Sequence, residues 1–160
     1  MYKVFVYNNF NKELELLWKD IEESVTITFF QTYNWNLSWY KHIGSNDKTI
    51  KLNIILLKKN NKVTDILPFC IRSKSSFKIL EFVGSLNTDY MMPLSNSESI
   101  FNNPKYDLKD IKKIFKNYLP EFDIGHFKNQ LDSHLGIKNY FIQKFRTSKQ
   151  TSSFRVDTYN

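Results

Sequence analysis

Two apolar runs flanking an Asn-Asn step constrain this chain more than any other feature. The first, Lys51 to Lys58, is built around Ile54-Ile55-Leu56-Leu57; the second extends from Val63 to Arg72; Lys59-Asn60-Asn61-Lys62 separates them. Asparagine tolerates a positive φ better than most residues, so the pair predicts a β-hairpin. A third strand, Phe77 to Val83, is expected after the turn-rich Ser73-Lys74-Ser75-Ser76 and ends at Gly84.

The flanking segments supply helices and further strands. Residues 2 to 7 alternate Val4 and Val6 with Phe5 and Tyr7 and predict a strand. Leu14, Leu17, Trp18 and Ile21 recur at i, i+3, i+4 and i+7, one face of a helix, with Asn11 as its N-cap and Glu13 and Glu15 in its first turn. Trp35, Trp39 and Ile43, spaced by four, mark a second helix with Gly44 as C-cap. Residues 85 to 106, rich in Ser and Asn with two Pro, read as a long ordered surface loop. Asp107 caps a helix with the face Leu108, Ile111, Ile114, Phe115 and Tyr118, stopped by Pro120. A strand at 122–127, a short polar helix at 128–135 and closing strands at 139–145 and 154–159 complete the order β-α-α-β-β-β-α-β-α-β-β.

At 160 residues, with 41% apolar and 16% aromatic side chains, one globular domain is expected, or one half of a tandem. The net charge of +7 is almost entirely lysine, since only Arg72, Arg146 and Arg155 are arginines. Lysine is a solvated point charge and arginine the usual reader of phosphates and bases, so the balance argues weakly for dedicated nucleic-acid readout. The chain has no alanine, a bias that AT-rich coding alone imposes, which further discounts the lysine count. The single cysteine, Cys70, lies in an apolar run as a buried, inert thiol, and one cysteine makes neither an internal disulfide nor a zinc cluster. Asn8-Asn9 interrupts the first strand before a signal-peptide core forms, and no apolar run approaches a membrane span. A cytoplasmic protein is expected.

The element order, together with a set of local strings, resembles the Gcn5-related N-acetyltransferase fold, a mixed twisted sheet flanked by helices. The strings are Phe30-Gln31-Thr32-Tyr33-Asn34-Trp35 with Trp39-Tyr40, then Ile66-Leu67-Pro68-Phe69, then Phe82-Val83-Gly84-Ser85 leading to Asp89-Tyr90 and Pro93-Leu94. Together they are similar to the CelD- and BioF2-like acetyltransferases, relatives of the FemAB-type aminoacyl transferases. The resemblance implies an α/β (α+β) acyl-CoA N-acyltransferase-like domain covering residues 1–160. Members usually carry two such domains, so the chain is expected to be the N-terminal half, with a second acetyltransferase-like domain or a partner chain. It further implies acetyl-CoA or another acyl-CoA as donor and an amine or hydroxyl of a saccharide or envelope precursor as acceptor.

An acyl-CoA site in this superfamily holds the diphosphate on a loop with two closely spaced glycines after the fourth strand. Here that position is Gly84-Ser85-Leu86-Asn87-Thr88-Asp89-Tyr90, with one glycine, so coenzyme binding by this chain is not expected. Asp89 and Tyr90, at the end of a core strand, either orient and deprotonate an acceptor or cap and pack the loop. Gln31 either touches ligand or begins a helix; Trp35 and Trp39, with Tyr40, either offer stacking faces to a sugar or fill the core. His126 lies three residues after Asp123, on the opposite face of a strand, and Asp132-Ser133-His134 resembles a hydrolytic trio in letters only. No metal-ligand spacing is present. A basic C-terminal stretch with interleaved Phe141, Phe145 and Phe154 lacks the core string of an RNA-recognition domain. The alternative class is a non-catalytic module for an anionic partner, nucleic acid or polysaccharide.

Overall fold

The computed structural model describes residues 1–84 and 87–145. The chain runs β1 (Tyr2–Tyr7), α1 (Lys12–Ser24), a 3-10 turn (Phe29–Gln31), α2 (Tyr33–His42), β2 (Ile50–Leu52), β3 (Ile54–Lys59), β4 (Lys62–Leu67), β5 (Phe69–Lys74) and β6 (Phe77–Phe82). There follow β7 (Leu94–Ser95), α3 (Leu108–Tyr118), β8 (Ile124–Gly125), β9 (Ser133–His134), β10 (Ile137–Lys138) and α4 (Tyr140–Gln143).

The hairpin forms where the Asn-Asn step places it: Asn60 and Asn61 hold φ of 51° and 62°, and Lys59 pairs with Lys62. Two consecutive left-handed residues match the right-handed twist of the strands they join. Beyond a bulge at Leu57/Lys58, Ile55 faces Leu67 and Leu52 faces Cys70, which is one uninterrupted register. Each expected apolar run is therefore a single long strand with a bend, at Asn53 in the first and Pro68 in the second. The Asn53 N–H donates to the Phe69 carbonyl (2.9 Å), keeping the two strands paired through the bend.

Pro68 explains why the outer neighbours change there. Its carbonyl accepts from the Val83 N–H (2.7 Å), so its ring nitrogen faces the same side, where it has no proton to donate. Before Pro68 the outer neighbour is β7 and after it β6. The result is two four-stranded sheets, ordered β1-β3-β4-β7 and β2-β5-β6-β8, and a separate β9-β10 ribbon. Their pairings are antiparallel except β6 with β8, where Ile79 and Leu80 lie beside Ile124 and Gly125 in parallel. The crossover between those two strands carries α3. The fold is thus mixed α/β with helices over both faces.

Alternation along the hairpin divides the core. Ile54, Leu56 and Ile66 pack with Leu14, Trp18 and Ile21 of α1 and with Tyr33. Ile55, Leu57, Leu67, Phe69 and Ile71 turn the other way, toward Ile111 and Phe115 of α3 and Phe141 of α4. A third cluster, Trp39, Ile50, Leu52, Cys70 and Val83, lies under α2. Phe69 is the hub of the α3 side, with ring centroids 4.8 Å from Phe82, 5.5 Å from Phe115 and 5.4 Å from Phe127.

The caps behave as expected. The Asn11 side chain accepts from the Leu14 N–H (2.8 Å). Asp107 accepts from the N–H groups of Lys109 and Asp110, while the Asp110 carboxylate accepts from the Asp107 N–H (2.9 Å).

Several expected elements differ. The polar helix at 128–135 is instead the β9-β10 ribbon, because Asn129, Leu135 and Gly136 hold φ of 51°, 47° and 81°, which no right-handed helix accommodates. The closing strand at 139–145 is the short helix α4, and the strand at 122–127 shrinks to Ile124–Gly125. Segment 87–106 is more than a surface loop: it contributes β7 and buries Met91, Met92, Leu94, Ile100 and Phe101. α2 stops at His42, one residue short of exposed Ile43, and Gly44 serves close approach, since a Cβ there would lie 2.7 Å from the Trp39 ring. The expected strand at 154–159 lies outside the described residues.

Phe69→Ala removes the hub of the aromatic cluster and is expected to cost roughly 3–5 kcal/mol. A urea midpoint within error of the native one would contradict the packing described.

Candidate functional site

The candidate residues converge on one corner, where α2 and the 3-10 turn before it meet the segment after β6. Gln31 is 5% exposed and both ends of its amide are engaged: Oε1 accepts from the Thr28 N–H (2.8 Å) and Nε2 donates to the Pro93 carbonyl (2.8 Å). Its own carbonyl accepts from Trp18 Nε1 (3.0 Å). Gln31 thus ties α1 to the distant loop from a buried position beneath the surface. Nearby, the Glu22 carboxylate accepts from the Tyr33 N–H at the start of α2, and burial raises its pKa.

Two indoles fasten α2 to the same loop. Trp35 Nε1 donates to Thr88 Oγ1 (3.1 Å) and Trp39 Nε1 to Asn87 Oδ1 (3.4 Å). Trp39 is 4% exposed and belongs to the core, whereas Trp35 is half-buried. Asn129, from across the sheet end, donates its side-chain amide to the Thr88 carbonyl (2.9 Å) and accepts the Met91 N–H on its own carbonyl (2.9 Å). Gly84 makes the turn, with φ of 113°, and a Cβ there would lie 2.0 Å from Thr88 Oγ1. The close backbone approach that this glycine permits is therefore taken up by the loop's own Thr88.

Around that fastening lies a surface of aromatic rings and one carboxylate. Trp35 packs against Phe29 (5.3 Å) and edge-on against Phe30 (5.2 Å), and Tyr90 meets Phe30 edge-on (5.8 Å). Phe29 is 65% exposed, Trp35 and Tyr90 are half-buried, and Asp89 is exposed beside Tyr90. An aromatic ledge edged by a carboxylate suits a ligand with an apolar face and a hydroxyl or amine to donate. Of the five candidates, Trp35, Asp89 and Tyr90 reach the surface; Gln31 and Trp39 hold the ledge from beneath.

Sequence reading passed over the most deeply buried ionisable group. Asp65 on β4 is wholly buried, and its carboxylate accepts from Ser95 Oγ (2.7 Å), Thr64 Oγ1 (2.9 Å), the Ile100 N–H (3.2 Å) and Ser99 Oγ. Burial pushes its pKa above the usual carboxylate range, and the four donors pull it part of the way back. Its position within an apolar stretch was the available signal. Elsewhere, Arg72 bridges Asp47 (2.8 Å) and Glu81 (2.7 Å), and burial pushes the Cys70 thiol up. His42 and His126 are exposed; Asp123 spends its carboxylate on the Lys78 N–H (2.7 Å); Ser133 and His134 are successive residues of β9 and so face opposite ways. A shallow 320 Å³ depression between Lys59, Asn60, Lys62, Thr64, Asn96 and Glu98 lies away from the ledge and is bridged by the Lys59–Glu98 ion pair (2.7 Å). Among the described residues no group of three or more His, Cys, Asp or Glu could hold a metal ion.

No family model, curated protein or solved structure matches this chain. Among the described residues no helix is long and apolar enough to cross a membrane. Fold and site together define a mixed α/β domain with an aromatic and acidic ledge at the end of a core strand.

Gly84→Ala, strained at this φ and colliding with Thr88, is expected to cost about 1–3 kcal/mol and to shift tryptophan emission as Trp35 and Trp39 lose their partners. An unchanged spectrum and melting temperature would refute the described loop. For Asp65, folding favours the neutral acid, so its cost appears as pH rises past the unfolded value of about 4. The native protein should lose stability relative to Asp65→Asn between that pH and neutrality. Urea midpoints at both ends read the gap, and a gap that stays constant or runs the other way contradicts the assignment.

Proposed function

We propose that this chain is an acetyltransferase-family lobe that presents the acceptor, an amine or hydroxyl of a saccharide or envelope precursor, for acyl transfer from acyl-CoA. The observation that carries the reading is the ledge: residues 30–35 and Asp89-Tyr90, which belong to separate strings of the family resemblance, meet in space. Support also comes from the mixed α/β topology with helices over both faces, which is compatible with the expected mixed sheet flanked by helices. A cytoplasmic location and a second lobe belong to the same reading.

In it, the faces of Trp35 and Tyr90 receive the apolar face of a sugar ring, and the Asp89 carboxylate accepts a hydrogen bond from the acceptor amine or hydroxyl. Gln31, Trp39, Thr88 and Asn129 act as positioning residues. The described residues do not fit a coenzyme diphosphate, because Thr88 fills the approach over Gly84, the single glycine of the loop. Donor binding is therefore assigned to the second lobe, and the isolated chain is inactive.

Glucosamine is expected to quench tryptophan fluorescence saturably. Trp35→Ala abolishes the response, Asp89→Asn weakens binding about tenfold, the loss of one hydrogen bond to a charged group, and acetyl-CoA leaves the melting temperature unchanged. Saturable stabilisation by acetyl-CoA alone, or indifference to amino sugars and neutral sugars alike, would defeat the proposal.

A further inference from the structure

The outer face of α3 carries a feature that the ledge does not use. Lys109, Lys112, Lys113 and Lys116 recur at i, i+3, i+4 and i+7 and are all exposed, a straight ridge of four ammonium groups about 10 Å long. Among the described residues no ion pair reaches any of them. The acids of the cap and first turn, Asp107 and Asp110, lie at the N-terminal end and accept from backbone N–H groups, and the next acid along the chain is Glu121, beyond the end of α3. The charge is therefore least compensated around Lys112, Lys113 and Lys116. The helix dipole accounts for Lys116 in the last turn and not for Lys112 or Lys113. Like charges three and four residues apart also weaken a helix.

Coding bias does not explain the placement, because α1 is built under the same bias. Its residues include two lysines and five acids, and Lys12 and Lys19 both pair with Glu15 (3.2 and 2.7 Å). α1 and α3 cover opposite faces of the sheet, so the molecule has an acidic helix on one side and a cationic one on the other.

We propose that the Lys109–Lys112–Lys113–Lys116 ridge docks the protein on an anionic lipid surface. The chemistry of the ridge selects this occupant. It holds no arginine to grip phosphates bidentately or read bases, and its ammonium groups stand on the convex outside of a helix, where a plane of charge meets all four together. A nucleic-acid strand is instead usually held in a groove with stacking aromatics. The apolar face of α3 is spent on Ile111 and Phe115 in the core, so the contact is electrostatic.

The test is sedimentation of the full chain with phosphatidylcholine vesicles, with and without about one third phosphatidylglycerol. Binding is expected on the anionic vesicles only and should collapse between roughly 0.05 and 0.5 M salt. Lys112→Gln with Lys113→Gln should lower partitioning about thirtyfold, roughly fivefold per lysine, and Lys112→Glu with Lys113→Glu should abolish it. Lys41→Glu with Lys48→Glu, which makes the same charge change on exposed residues of α2 and the turn that follows it, should lower partitioning far less. Circular dichroism and melting confirm that each variant folds; if the Glu pair does not, the Gln pair supplies the reading. Equal losses from both lysine pairs, binding to neutral vesicles, uptake of a single-stranded oligonucleotide in place of vesicles, or salt-sensitive dimerisation through α3 would each overturn the proposal.

Discussion

The rest of the structure depends on a hairpin that keeps one register while changing its neighbours. A proline inside a central strand is ordinarily excluded because its missing N–H breaks a ladder. Here Pro68 stands where the outer partner passes from β7 to β6, and the carbonyl of the same residue secures Val83. On the inner side, the Asn53–Phe69 bond holds the two long strands together, so the sheet turns without losing its spine. Because the bend lies between Leu67 and Phe69, both fully buried on the α3 side, it is enclosed by packing and cannot fray.

That bend gives the long segment after β6 its task. The segment leaves β6 at Gly84, returns to lie beside β4 as β7, and must be held along the way. Three buried polar anchors do this: Thr88 to Trp35 and Asn129, Pro93 to Gln31, and Ser95, Ser99 and Ile100 to Asp65. Asp65 is the costliest of them, since a buried carboxylate without a cation is tolerated only when donors satisfy it. With four donors it fixes the far end of the loop, while the indoles fix the near end, and the ledge at residues 87–90 inherits its order from both.

How much of this was legible follows from how local each signal is. β1, α1, α3 and the hairpin turn were readable because Asn11, Asp107 and Asn60-Asn61 act on their own neighbours. The bend was not, because Pro68 within an apolar run acquires its meaning only from which strand lies outside it. The ribbon at 133–138 was missed because three left-handed residues interrupt a stretch whose letters suit a helix. At the site, the strings around Trp35 and Asp89 were visible, yet the division of labour was not: a buried Gln31 with both amide ends occupied and an exposed Asp89 look alike in sequence. Asp65, Thr88 and Asn129 owe their importance to partners about thirty to fifty residues away, a range over which periodicity carries no information.

The two outer surfaces finally acquire a common geometry. α2, and with it the ledge, covers the face of the sheet defined by Leu52 and Cys70, while α3 covers the face defined by Phe69 and Ile71. Successive strand residues point in opposite directions, so ridge and ledge are separated by the full thickness of the sheet. A charged plane held against α3 would leave the aromatic ledge open on the side away from it. The acidic α1 flanks that open side and would be repelled by the same plane, so charge alone selects one orientation of the two.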